Sequence, residues 1–233
     1  MKNLVVYLPC SWPTISTRVF RSFLDLVRHP VEGCNINPMI SDTFPLDRNR
    51  NEAVDNALSS KYAADYIFFA DADQIWPVDT IPRLLAHVTD EFPVVSGLYF
   101  RKAHPHVAVP GHYATWEKHE SQRKTIESMG FIDKDGNQTL FYKPLRDFTT
   151  IQTVDVSGMG CLLVRSDIFK KLEMPYFAYF NCYSLGGDYT INHASEEMLF
   201  FSKLRKAGIK TLLDPSVRCG HEVLKVIGSP EME

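Results

Sequence analysis

Short apolar runs alternate with helically spaced apolar positions along the first hundred residues. Asn3 to Pro9 (NLVVYLP) is an apolar run closed by a proline, the pattern of a buried strand. From Ser16 to His29 the apolar residues Val19, Phe20, Phe23, Leu24 and Val27 fall at helical spacing, and Pro30 ends the segment. Pro38 to Ser41 predicts a second, weaker strand. Asp47 to Ser59 predicts a polar helix with Ala53, Val54, Ala57 and Leu58 on its packed side. Tyr66 to Ala70 (YIFFA) reads as a central strand, and Asp79 is placed to cap a helix that accepts Pro82 in its first turn and turns Leu84, Leu85 and Val88 inward. Phe92 to Phe100 is the next strand. Alternating strands and helices predict an α/β fold with a mostly parallel central sheet covered on both faces.

After Arg101 the pattern breaks. Residues 102–153 are richer in His, Lys and Tyr and include a turn signal, Asp135-Gly136-Asn137, so an inserted or antiparallel region is expected there. Strand character returns over Val154 to Val164, followed by a short helix at Arg165 to Leu172. Pro175 to Ser195 is aromatic and Gly-rich and too long for a plain connection, which predicts an active-site loop. Glu196 to Ala207 is helical, with Gly208 as its stop, and Lys210 to Leu213 and Val217 to Cys219 are short extended pieces that lead to His221. The expectation is a single domain over 1–233, with a nucleotide-binding half (1–101), a variable insertion (102–153) and a catalytic half (154–222).

Composition narrows the class. Of 233 residues, 45% are apolar and 23% charged, which excludes disordered, collagen-like and coiled-coil chains. Lys and Arg total 25 against 28 Asp and Glu, a net charge of −3, so no nucleic-acid-binding surface is expected. The five cysteines form no C-x-x-C pair, and no apolar stretch reaches the ~18 residues of a membrane span. A soluble cytoplasmic protein is expected, able to meet its acceptor at a membrane surface, and a viral or phage source is compatible with these features.

The chemistry concentrates where YIFFA runs into Asp71-Ala72-Asp73. Ligands of open α/β sheets bind at the carboxyl ends of strands, and two carboxylates there suit a hard divalent cation that completes its shell with phosphates. A lone D-x-D is often just a solvated turn; the preceding strand, with Trp76 and Pro77 closing the turn, favours the site. Neither G-x-G-x-x-G nor a P-loop occurs, so side chains and a metal would have to hold any diphosphate. His104, His106, His112 and His119 suggest zinc, but no H-E-x-x-H or cysteine partner supports it. Phe177, Tyr179, Phe180, Tyr183 and Tyr189 either stack on a sugar ring or pack in the core.

Several motifs in order make the chain resemble a GT-A type nucleotide-sugar glycosyltransferase of the family 2 kind. They are the first strand ending in Pro9, Arg48-Asn49-Arg50-Asn51 before the central strand, Asp71-Ala72-Asp73, Val154 to Cys161 (VDVSGMGC), Glu196-Glu197, and Asp214-Pro215-Ser216 leading to His221. The resemblance covers roughly 1–101 and 154–222. It implies a GT-A, Rossmann-like sheet with an antiparallel acceptor region. It also implies transfer from a nucleoside-diphosphate sugar, with UDP or GDP as the nucleotide, to a glycan, lipid-linked or protein hydroxyl. Mn²⁺, or Mg²⁺, would be held by Asp73 and His221, with Asp71 on the ribose or on the metal through water. Pro9, Ser11, Trp12, Arg48, Asn51, Asp155 and Gly158 would line the donor site.

The similar enzymes carry an acidic pair, usually Glu-Asp, whose second member is the base. Here the pair is Glu196-Glu197, so Glu197 takes that position and Glu196 stays an alternative. The same two acids would also suit a helix start, complementing its dipole and forming a cap with Ser195. Inversion at the sugar is the expected outcome. A metal-dependent nucleotidyltransferase and a noncatalytic nucleotide- or sugar-binding module are the competing classes, though Pro9-Cys10-Ser11-Trp12 lacks the Gly-rich basic loop of the former.

Overall fold

The structure is a computed structural model that describes residues 1–10, 14–102, 107–114, 141–184 and 190–223; for 113, 114, 141, 142, 180–184 and 190–194 it describes the backbone alone. Its main sheet is built from β1 (Lys2–Pro9), β2 (Cys34–Ser41), β3 (Tyr66–Ala70), β5 (Val94–Leu98), β8 (Gln152–Val154), β9 (Cys161–Arg165) and β12 (Thr211–Arg218), in the order β2-β1-β3-β9-β5-β12-β8. β2, β1, β3, β5 and β12 run one way, and β9 and β8 run against them. The predicted α/β class with a mostly parallel sheet is therefore the one observed.

Successive residues of a strand face opposite sides, and here both sides are dry. Val5 and Tyr7 of β1, Ile67 and Phe69 of β3, and Leu162 and Val164 of β9 enter one core. Leu4, Val6 and Leu8, then Phe68, and Cys161 and Leu163, enter the other. Continuous apolar strands without polar alternation are the consequence. Helices α1 (Thr17–Arg28) and α3 (Thr80–Leu85) cover the second core through Val19, Phe23, Leu26, Ile81 and Leu84. Helices α2 (Leu46–Leu58) and α4 (Glu196–Lys206) cover the first through Ala53, Val54, Ala57, Phe200, Phe201 and Leu204. Ser16 caps α1 by accepting the Val19 N–H, and Gly208 ends the α4 segment with φ of +70°.

Parts of the sequence reading change: the second strand, expected over Pro38 to Ser41, begins already at Cys34. The Val154 to Val164 segment is not one strand: β8 ends at Val154 and β9 begins at Cys161. Between them Ser157 meets Ser96, hydroxyl to hydroxyl at 2.7 Å, and the Gly160 N–H bonds the Tyr99 hydroxyl, which takes the intervening residues out of the sheet. Part of the expected loop at Pro175 to Ser195 is an antiparallel pair, β10 (Phe180–Ser184) with β11 (Thr190–Ala194). The two extended pieces before His221 are one strand, β12, whose register breaks between Asp214 and Arg218, where Asp214 turns its carboxylate onto the Ser216 N–H and hydroxyl. Asp79 and Ser195 stand at N-cap positions but make no side-chain cap bond. β6 (Gly111–Ala114) pairs with β7 (Phe141–Pro144) across the variable segment, whose turn signal at 135–137 lies outside the described residues.

Gly158 is required by space. A Cβ on it would stand 1.7 Å from the Tyr99 hydroxyl, and Tyr99 is itself buried. Gly158→Ala is expected to destabilise the protein by about 1–3 kcal/mol, the usual range for overpacking; urea unfolding with an unchanged midpoint would refute it.

Candidate active site

The carboxyl ends of β1, β3 and β5 open into a cleft of about 1200 Å³ lined by Pro9, Ile15, Phe44 to Leu46, Arg50, Asp71 to Asp73, Lys102, Tyr179, Glu196, Glu197, Glu222 and Val223. At its floor lies a buried arginine. Arg50 is 1% exposed, and its guanidinium binds Asp71 Oδ1 at 2.8 Å through Nη2 and Glu196 Oε1 through Nη1, with Glu197 Oε2 3.7 Å away. The start of α2 is fixed for this by Asn49, which accepts the Tyr7 hydroxyl and donates to the Ser41 and Thr43 carbonyls. Three carboxylates thus converge on one cation from the ends of β3 and α4. Burial raises the pKa of Asp71, against the lowering pull of Arg50. Burial also pushes Glu197 up to about 8, helped by the charge of Glu196 and opposed by Arg50.

Beside this cluster stands a second one. Asp73 accepts Lys102 Nζ on Oδ2 at 2.6 Å and faces His221 Nε2 with Oδ1 at 3.4 Å. β13 (Gly220–His221) pairs with β4 (Gln74–Ile75), setting His221 opposite Gln74, and the Glu222 N–H bonds the Asp73 carbonyl. His221 Nδ1 lies 2.7 Å from the Phe100 carbonyl, which can only accept, so Nδ1 carries a proton and Nε2 is the nitrogen that faces Asp73. Burial works against a charged ring, but the bonds to Asp73 and to the Phe100 carbonyl raise its pKa, and in that charged form Nε2–H donates to Asp73. Tyr99 meets the same ring edge-on at 5.8 Å. Burial opposes the charge of Asp73, but the bonds from His221 and Lys102 prevail and hold its carboxyl below the ordinary range.

Not every predicted site residue comes to the cleft. Pro9, Asp71, Asp73, Glu196 and Glu197 line it. Arg48 is instead paired with Glu52 on the surface of α2, and Asn51 clamps the main chain at Asp47, Tyr176 and Phe177. Asp155 meets His112 at 3.2 Å, and Gly158 packs on Tyr99. Phe177 is core, stacked on Phe200 at 4.9 Å, whereas Tyr179 is 54% exposed at the cleft wall. Ser11, Trp12, His104, His106, His119 and Tyr189 lie outside the described residues, as do the side chains of Phe180 and Tyr183.

Two further residues shape the cleft. Arg50 belongs to the Arg48-Asn49-Arg50-Asn51 motif, but nothing local marks it as the buried arginine. Lys102 belongs to no motif; its one signal is a basic residue just past the carboxyl end of a buried strand. Among the described residues, no three His, Cys, Asp or Glu side chains gather as a metal group, so Asp71, Asp73 and His221 do not form one ligand set. Asp73 and His221 are a carboxylate and an imidazole of fixed tautomer, which fits part of the shell of Mn²⁺ or a similar ion.

No family model matches the chain, and no curated protein matches it. Among solved structures it is similar to A197 from STIV, at 16% identity and a TM-score of 0.59, over 96% of this chain and 87% of that one. It is also similar to GalNAc-T7, solved with UDP, GalNAc and Mn²⁺, at 11% identity and a TM-score of 0.56, over 96% of this chain. This chain has a GT-A fold. It spans 44% of the length of GalNAc-T7, and at these identities the likeness concerns the fold alone. Among the described residues no helix is long and apolar enough to cross a membrane.

Proposed function

We propose that this chain is a metal-dependent glycosyltransferase that moves a sugar from a nucleoside-diphosphate sugar to a hydroxyl acceptor with inversion. The observation that carries the reading is the division of labour among the acids of one cleft. Arg50 engages Glu196 and Asp71, Asp73 faces His221, and Glu197 keeps a 30% exposed side chain in the same cleft. Asp73 and His221 would hold the divalent cation, which when bound supplies Lewis-acid neutralisation of the diphosphate. Glu197 accepts the proton of the acceptor hydroxyl as that oxygen bonds to the anomeric carbon. The carbon–oxygen bond to the diphosphate breaks, and its electron pair leaves with the phosphate oxygen. Glu196, 4% exposed and bound to Arg50, orients the pair and takes no proton.

A thermal-shift panel of UDP, GDP, TDP, CDP and ADP, with and without Mn²⁺, tests the donor class. A ligand at about 100 times its dissociation constant adds about 2.7 kcal/mol to stability. One diphosphate is expected to stabilise the chain only with metal; no response to any of them at millimolar concentration would overturn the reading.

The base has its own signature. A carboxyl at about 8 is mostly protonated at pH 7 and ionised at pH 9, so the transfer rate should rise about tenfold over that interval. Glu197→Gln should remove this limb and lower the rate by about 10² to 10⁴. A variant that retains full activity, or the same alkaline rise, excludes Glu197 as the base.

A further inference from the structure

Lys102 occupies the carboxylate that the proposed reaction needs for its cation. Its ammonium lies 2.6 Å from Asp73 Oδ2, and both side chains are two-fifths exposed in the cleft. Everything else at this point is mounted firmly. His221 is held by strand pairing, by the Phe100 carbonyl and by the Tyr99 ring, and Asp73 by the Glu222 N–H on its carbonyl. Lys102 is different: it reaches Asp73 on a flexible four-carbon arm from the chain just beyond β5.

Resting on the reading above, we propose that Lys102 is a displaceable counter-charge. It neutralises Asp73 in the free protein, gives way when a divalent cation binds between Asp73 and His221, and then binds the diphosphate of the donor. A double positive charge beside the ammonium would leave three positive charges on one carboxylate. Their repulsion over a few ångströms drives the flexible partner away. The diphosphate of a nucleotide sugar carries two negative charges. Asp73, Lys102, the cation and that diphosphate then sum to zero, so the cleft is neutral when donor and metal are both in place. Without Lys102 the same assembly carries a net negative charge, and Glu222 on the cleft wall adds to it.

The two halves of the proposal have opposite signs in binding. By calorimetric titration, Lys102→Met should bind Mn²⁺ alone about three- to fivefold tighter, because the cation no longer displaces a surface ion pair. The same variant, saturated with Mn²⁺, should bind the diphosphate that stabilises the wild type about tenfold or more weakly, having lost a charge-assisted contact. Lys102→Arg keeps the positive charge and should shift both affinities less than Lys102→Met does. Lys102 is partly exposed, so the melting midpoint of the free variant should not move. An unchanged value for either affinity, or a fall in both, overturns the proposal. If the wild type itself binds neither Mn²⁺ nor any diphosphate, the glycosyltransferase reading fails and this inference fails with it.

Discussion

Arg50→Met is expected to lower the unfolding free energy by about 3–5 kcal/mol, the cost of breaking a buried ion pair from one side. Arg50 is the largest fully buried side chain in the molecule as described, and Asp71, Glu196 and Glu197 surround its guanidinium. Methionine fills much of the same volume but leaves those carboxylates without a counter-charge. With total stability typically 5–15 kcal/mol, this is a large share.

The loss should also depend on pH in a fixed direction. Without Arg50, burial and mutual repulsion raise the folded-state pKa values of the three acids above their unfolded values near 4. The folded variant then binds more protons than the unfolded chain. Its stability is greatest below the unfolded pKa and falls as pH rises through the raised folded values. Urea unfolding of wild type and variant at pH 5 and pH 8 measures this. The gap between them should be smaller at pH 5; an equal gap at both would show that the arginine acts through packing rather than charge.

Asp73→Ala should act in the opposite way, sparing the fold and removing the function. Its carboxylate is 41% exposed and, among the described residues, is bonded by Lys102 and His221 alone, so the free variant should melt within a degree or two of wild type. The stabilisation by diphosphate and Mn²⁺ should vanish, and the transfer rate should fall by roughly a thousandfold, as for loss of several kcal/mol of charge neutralisation. Metal-dependent stabilisation that survives in Asp73→Ala would remove Asp73 from the cation site. Arg50→Met and Asp73→Ala together thus separate the residue that builds the cleft from the residue proposed to bind in it.

Much of this was legible in the chain because it is local. YIFFA ends at Asp71 whatever surrounds it, since an apolar run long enough for one buried strand must stop where charge begins. Glu196-Glu197 opens a helix because two acids there complement its dipole and the following Leu199, Phe200 and Leu204 give it a buried face. Asn51 and Arg48 were misleading for the same reason: they sit in the right segment, but helical spacing turns Arg48 to solvent and Asn51 to the Phe177 main chain. Arg50, between them, is rotated inward. Nothing in Arg48-Asn49-Arg50-Asn51 marks which arginine is buried; that depends on Asp71 and Glu196, 21 and 146 residues away.

By itself the sequence determined the alternation of strands and helices, the fully apolar central strands and the acids at their ends, since each follows from spacing within about ten residues. The resemblance implied that His221 returns to Asp73, but only the tertiary structure decided that β9 runs antiparallel between β3 and β5 and that Lys102 pairs with that same carboxylate. These are contacts between segments far apart in the chain, selected by how two dry cores close around one sheet. No local pattern of residues carries that information.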